Sequence, residues 1–256
     1  MRDDIRLRVV NPNTTRAMTD LIGRSARVVA GPGVTVEAVQ PTTGPASIES
    51  HYEEALAAVG VLEQVRVGEG DGVDAYVVAC FGDPGLDAAR ELARGPVVGI
   101  AEAAFHAATM VARRFSVVTS LGRTVGRAHE LLDRYGFARA CAGVHACEIP
   151  VLQIEAPGAL DRVTAACRAA VEADDVDAVV LGCAGMAGYT GRISEAVGVP
   201  VVDGVTAATT FAAALVRAGL RTSERSEYAR PPSKPVPGLL QEFAVGPAGL
   251  TAVATG

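Results

Sequence analysis

The sequence predicts an α/β protein built as two pseudo-symmetric lobes, each a mostly parallel sheet flanked by helices, with the site in the cleft between them. Three observations lead there. Short apolar runs alternate with longer helical segments, the pattern of parallel strands joined by crossover helices. The best-defined strand is a continuous Val- and Ala-rich run, as in a sheet covered on both faces. The later half of the chain repeats the order of the earlier one.

The first strand runs from Ile5 to Asn11, and Asn11-Pro-Asn-Thr-Thr15 forms a polar turn that caps a helix over residues 16–27. A second strand is expected at Val34–Val39, followed by a loop over Gln40–Ala46 and a helix from Ile48 to Val67, closed by the turn at Asp71-Gly72. Val73–Ala79 is the next strand, with Cys80 at its carboxyl end. Asp83-Pro84 reads as an N-cap followed by proline at the first helical position, opening a helix to Arg94. Gly95-Pro96 stops that helix before the strand Val97–Gly99.

The repeat is visible by eye. Val73-Asp-Ala-Tyr-Val-Val-Ala-Cys80 matches Val176-Asp-Ala-Val-Val-Leu-Gly-Cys183, with the same Asp-to-Cys separation. Pro96-Val-Val-Gly99 matches Pro200-Val-Val-Asp203, and Arg6–Thr15 parallels Arg114–Thr124 more loosely. Residues 1–100 with 205–256 are expected to form lobe I, and 101–204 lobe II. The helix Val205–Leu220 returns to lobe I, and the tail from Arg221 runs extended over it or over a neighbour. Ligands collect outside the carboxyl ends of parallel strands, so facing lobes bring four polar turns to one cleft.

Bulk properties exclude several functions. A formal charge of −6 and no Lys/Arg-rich run argue against nucleic acid. No apolar run of membrane-spanning length and no signal-like start at Met1–Val10 predict a cytoplasmic protein with no membrane partner. Five cysteines, an odd count, predict free thiols. The spacing of the four histidines and the cysteines fits no zinc motif, so no metal is expected.

Cys80 and Cys183 occupy equivalent turns, each followed by small residues: Phe-Gly-Asp-Pro-Gly in one, Ala-Gly-Met-Ala-Gly in the other. A nearby helix N-terminus offers N–H groups that favour thiolate and hold a developing oxyanion. Inverting a stereocentre by deprotonation needs a base on one face and an acid on the other, and two opposed thiols that titrate as a pair meet that need. A lone cysteine is more often core packing, and that is the reading for Cys141, Cys147 and Cys167, which have no repeat partner.

Asn11-Pro-Asn-Thr-Thr15, Cys80-Phe-Gly-Asp-Pro-Gly-Leu86, Pro96-Val-Val-Gly-Ile-Ala-Glu-Ala-Ala104 and Leu181-Gly-Cys-Ala-Gly-Met186 resemble the segments of the aspartate/glutamate/hydantoin racemase family, and within it the hydantoin and allantoin racemases. Tyr228-Ala-Arg-Pro-Pro232 and Lys234 resemble its C-terminal region. The resemblance implies a two-lobed fold, no cofactor, catalytic cysteines matching Cys80 and Cys183, and substrate contacts near Asn13, Ser47, Phe81, Gly82, Thr119, Ser120, Ala184 and Gly185. Asn13, Ser47 and Thr119 serve equally well as turn or cap residues, and Phe81 as core. Asp83 reads as a cap; Glu49 and His51, at the start of the helix after Ser47, read as a solvated helix face, with the border of the cleft as the alternative.

Amino-acid racemases of this superfamily carry Asn-Thr after the first cysteine and Thr-His or similar after the second, suited to a charged substrate. Phe81-Gly82 and Ala184-Gly185 suit a neutral, planar ring instead. The expected function is racemisation at C5 of 5-monosubstituted hydantoins, with allantoin, then aspartate or glutamate, as alternatives. A non-catalytic small-molecule binding protein and a redox pair closing a disulfide are the competing classes. A homo-oligomer is expected.

Overall fold

A computed structural model of the chain describes residues 4–246 and 249–250. The outer ends of the expected first lobe, residues 1–3 and 251–256, lie outside the described residues, as do 247 and 248. The order is β1 (Ile5–Val10), α1 (Arg16–Val29), β2 (Val34–Val39), α2 (His51–Asp71), β3 (Ala75–Val78), α3 (Leu86–Leu92), β4 (Val97–Gly99) and α4 (Ile100–Val111). The second half continues with β5 (Phe115–Thr119), α5 (Val125–Tyr135), β6 (Cys141–Ala146), α6 (Ala159–Asp174), β7 (Ala178–Gly182), α7 (Thr190–Val197), β8 (Val201–Asp203) and α8 (Gly204–Arg217). A short antiparallel pair, β9 (Val245–Gly246) and β10 (Gly249–Leu250), follows.

Two four-stranded sheets result, ordered β2-β1-β3-β4 and β6-β5-β7-β8, with every neighbour parallel. The duplication read from sequence is therefore a duplication of topology. In each sheet the crossovers diverge from the two central strands, and in open parallel sheets the crevice at that divergence is where ligands bind. β1 and β3 end in register at Val10 and Val78, and β5 and β7 at Thr119 and Gly182. Each pair of central strands thus delivers its two turns at one level, Asn11–Thr15 beside Cys80–Gly82 in the first sheet and Ser120 beside Cys183–Gly185 in the second.

The helix after each lobe's last strand crosses to the opposite sheet. α4 packs on β7 and β8 as well as β4, while α8 packs on β1, β3 and β4, and the two helices pack on each other. Their first turns meet so closely that a Cβ on Gly204 would overlap the carbonyl oxygen of Ile100. Phe105 of α4 stacks on Phe115 at 5.8 Å and meets Phe81 edge-on at 5.6 Å, which ties the turn after β3 to β5.

α2 begins at His51, later than expected, because Ser50 caps it and Glu53 reaches back past the cap, a variant of the capping box. Ser50 Oγ accepts from the Glu53 N–H at 3.3 Å, and Glu53 Oε2 accepts from the Glu49 N–H at 2.7 Å. Asp83 departs from its expected role. α3 starts at Leu86 behind Gly85, whose φ is 67°, and the Asp83 carboxylate turns to α4, accepting from Ala101 N and Glu102 N at 3.1 Å each. Gly99 leaves the room, since a Cβ there would overlap that carboxylate. At the equivalent place in the second half Asp203 caps α8 itself, accepting from Thr206 N at 2.9 Å.

The tail packs on residues of the first half of the chain. Thr222 Oγ1 donates to Gly95 O at 2.9 Å, Tyr228 bonds Asp87 at 3.2 Å, and Arg66 pairs with Glu242 at 2.7 Å beneath the Phe243 ring. No helix among the described residues is long and apolar enough to cross a membrane.

Candidate active site

The four turns line one pocket. Asn13, Cys80, Phe81, Gly82, Thr119, Ser120, Cys183 and Ala184 all contribute to its wall. Ser47 and Gly185, the other two expected contacts, do not. The wall begins one residue after Ser47, at Ile48. Gly185 lies directly behind Cys183, where a Cβ would stand 3.7 Å from the sulfur and 2.6 Å from Ile154.

Asn13 is held by its own turn: Oδ1 accepts from Asn11 Nδ2 and Thr15 N, both at 2.9 Å, and Nδ2 faces Met18 Sδ at 3.3 Å. Thr119 Oγ1 donates to Gly182 O at 3.2 Å and meets Thr124 Oγ1 at 2.8 Å, so it stitches the turns after β5 and β7 together. Phe81 combines both expected roles, lining the pocket while its ring packs on Phe105.

All five cysteines are free, so Cys80 and Cys183 are not joined as a redox pair. Cys147 and Cys167 are buried in the core as expected, and Cys141 is half-buried on the edge strand β6. Around Cys80 and Cys183 the expectation that helix N-termini would favour thiolate is corrected. Burial is the larger influence and raises both thiols, Cys183 to about 11 and Cys80 further. Working against it are backbone N–H groups, that of Gly82 on Cys80 and those of Gly185 and Met186 on Cys183. The segment behind Cys183 is a short 3-10 turn, Ala184–Tyr189, and no α-helix starts directly behind Cys80. Each sulfur therefore has local donors but little helix dipole.

Sequence reasoning missed one side of the pocket. Ile48–Glu54 of the first half and the turn that leads into α5, with that helix's first turn, close it: Glu49, Ser50, His51, Glu54, Arg123, Thr124 and Arg127 all line it. Glu49 and His51 border the cleft, the alternative to the favoured solvated face, although the His51 side chain remains 75% exposed. Glu49 Oε1 accepts from Val151 N at 2.6 Å, across to the second half. Glu54 Oε1 pairs with Arg127 Nε at 3.1 Å, and Arg127 Nη2 donates to Gly82 O at 2.7 Å. The available signal was the glycine at 82, where a Cβ would overlap the Glu54 carboxylate.

Two α/β lobes with the same strand order face each other across a cleft walled by one thiol from each, which makes this a two-lobed α/β protein with its site between duplicated halves. The family model described as Asp/Glu/Hydantoin racemase matches residues 7–212, and the chain belongs to that family. It is 46% identical to a hydantoin racemase of Rhizobium meliloti, over 91% of this chain and 97% of that one. Identity to a hydantoin racemase of Pseudomonas sp. (strain NS671) is 43%, over 93% and 97%. The solved allantoin racemase from Klebsiella pneumoniae superposes with a TM-score of 0.91 at 51% identity, covering 93% of this chain and 98% of that one. The protein is a racemase, an isomerase.

Proposed function

We propose that the protein racemises 5-monosubstituted hydantoins by passing a proton between Cys80 and Cys183 across the ring. The observation that carries this reading is that both thiols line one pocket, each on the turn after a central strand and each with a backbone N–H at its sulfur. In the reactive form one sulfur is thiolate and the other thiol. The thiolate takes the C5 proton from one face, and the electron pair of the broken C–H bond moves into the ring as an enolate. The opposite thiol then donates its proton to the other face, so the two sulfurs exchange protonation states and no net proton is consumed. Neutral walls such as Phe81 and Ala184 suit a planar ring without formal charge.

Allantoin is the second reading, a hydantoin whose 5-substituent is a ureido group. Favouring it are the 51% identity to an allantoin racemase and the polar wall of Ser50, His51, Glu54 and Thr124, which offers acceptors to a substituent rich in N–H groups. Polarimetry with both enantiomers of 5-benzylhydantoin, 5-isopropylhydantoin and allantoin, with aspartate and glutamate as controls, ranks the two. Cys80→Ser and Cys183→Ser each abolish racemisation of the preferred substrate, while in deuterated water one variant still exchanges the C5 hydrogen of a single enantiomer. Racemisation surviving in either variant refutes the two-thiol reaction.

A further inference from the structure

We propose that Arg127, reaching from α5 of the second half onto the turn after β3, is a positioning residue for the thiol of Cys80. This rests on the proton transfer proposed above. Two contacts carry it. The guanidinium donates to Gly82 O at 2.7 Å and so anchors the glycine whose own N–H faces the Cys80 sulfur. It also pairs at 3.1 Å with Glu54, whose side chain is 16% exposed and fills the space that a side chain at position 82 would need.

The pairing matters because of where the carboxylate sits. Of the charges that oppose a thiolate at Cys80, that of Glu54 acts most strongly, and Cys183 across the pocket and Asp83 in the same turn act in the same direction. Glu54 is in turn faced by Arg127 and Glu130 of α5 and by His51 of its own helix. Arg127 is the one fixed cation in that set. It cancels the charge beside the sulfur and, from the other half of the molecule, holds the donor that stabilises thiolate.

The test is the pH dependence of Cys80 alkylation by iodoacetamide in the full chain, read by mass spectrometry of the Cys80 peptide, alongside kcat/KM for racemisation. Arg127→Gln leaves Glu54 uncompensated and moves the alkylation profile to higher pH by about one unit, roughly a tenfold slower reaction at a given pH. Glu54→Gln moves it to lower pH. The double variant Glu54→Gln/Arg127→Gln returns most of the way to wild type, short of it by what the lost grip on Gly82 contributes, an interaction that a general loosening of the fold would not produce. Arg127→Lys keeps the charge but loses the fork that grips Gly82, so the profile rises by less than in Arg127→Gln, and kcat falls while KM changes little. Arg127→Gln and Glu54→Gln variants that shift the profile in the same direction, or leave it unmoved, overturn the proposal. Alkylation does not depend on turnover: wild-type protein that fails to racemise hydantoins removes the proposed reaction while the thiol measurement still decides the role of Arg127.

Discussion

Burial pushes the Cys183 thiol up to about 11 and Cys80 higher still, so near neutral pH the resting pocket keeps both protons. The proposed catalysis by a thiolate would then draw on a small population. With the more acidic sulfur at about 11, roughly one molecule in a thousand carries a thiolate at pH 8, and that fraction grows tenfold with each pH unit. Because kcat/KM reports the free enzyme, it should climb with unit slope, about a hundredfold between pH 7 and pH 9. The upper limit is set by stability. A cysteine in the unfolded chain releases its proton near 9.0. Folding therefore holds the Cys183 proton more tightly, and the stability tied to it is complete below pH 9 and lost as pH rises towards 11, about 3 kcal/mol in all. The assay is initial-rate polarimetry on a hydantoin from pH 6.5 to 9.5, corrected for spontaneous racemisation and for ionisation of the ring, with thermal melts in the same buffers. A profile that is flat or falling between pH 7 and 9 refutes the reasoning, since it requires thiolate already present at neutrality.

Two further substitutions test the frame around the site. Gly204→Ala drives a methyl group into the Ile100 carbonyl where α4 and α8 cross, and is expected to cost about 3 kcal/mol by denaturant unfolding; a loss under 0.5 kcal/mol would mean the crossing is not close-packed. Tyr135→Phe removes the 2.9 Å bond from the phenol to Asp83, about 2 kcal/mol. Burial raises Asp83 to about 7, so the stability tied to its proton is present at low pH and lost as pH rises through 7; the phenol counters that loss by favouring the ionised form. The deficit of Tyr135→Phe is therefore larger at pH 8 than at pH 5, and an equal deficit at both would contradict the assignment.

Much of this site was legible because the chain says it twice. Two Val-Asp-Ala strands that each end in cysteine identify the central strands, and parallel topology then sends both thiols to one crevice. What was not legible depended on pairings that have no local signature. The Asp83-Pro84 pair is a good helix-start signal, but Gly85 starts α3 in a left-handed conformation and frees the carboxylate for α4. Only the mismatch of Gly99 with Asp203 in the repeat hints that the two caps are supplied differently. α2 is apolar around much of its circumference, so its periodicity does not mark which face meets the cleft, and the Glu54–Arg127 bridge joins residues far apart in sequence.

The departures from symmetry have a kinetic consequence. Two duplicated lobes present equivalent thiols, yet Glu54 and Asp83 stand near Cys80 while Glu49 and Cys147 stand near Cys183, and the two thiols differ in proton affinity. Racemisation has an equilibrium constant of one, so kcat/KM must be equal for the two enantiomers whatever the protein does. An unequal pair of thiols can therefore express itself only in kcat and KM separately, by the same factor in each. Since Cys183 gives up its proton more readily, the resting form with thiolate at Cys183 outnumbers the form with thiolate at Cys80. The enantiomer that presents its C5 hydrogen to Cys183 finds its base ionised in a larger share of the free enzyme than its mirror image does, and should show both the lower KM and the lower kcat. Isotope exchange in the serine variants identifies which enantiomer that is. Progress curves from each pure enantiomer then give the two KM values, and identical values would mean that the charges around the two sulfurs balance after all.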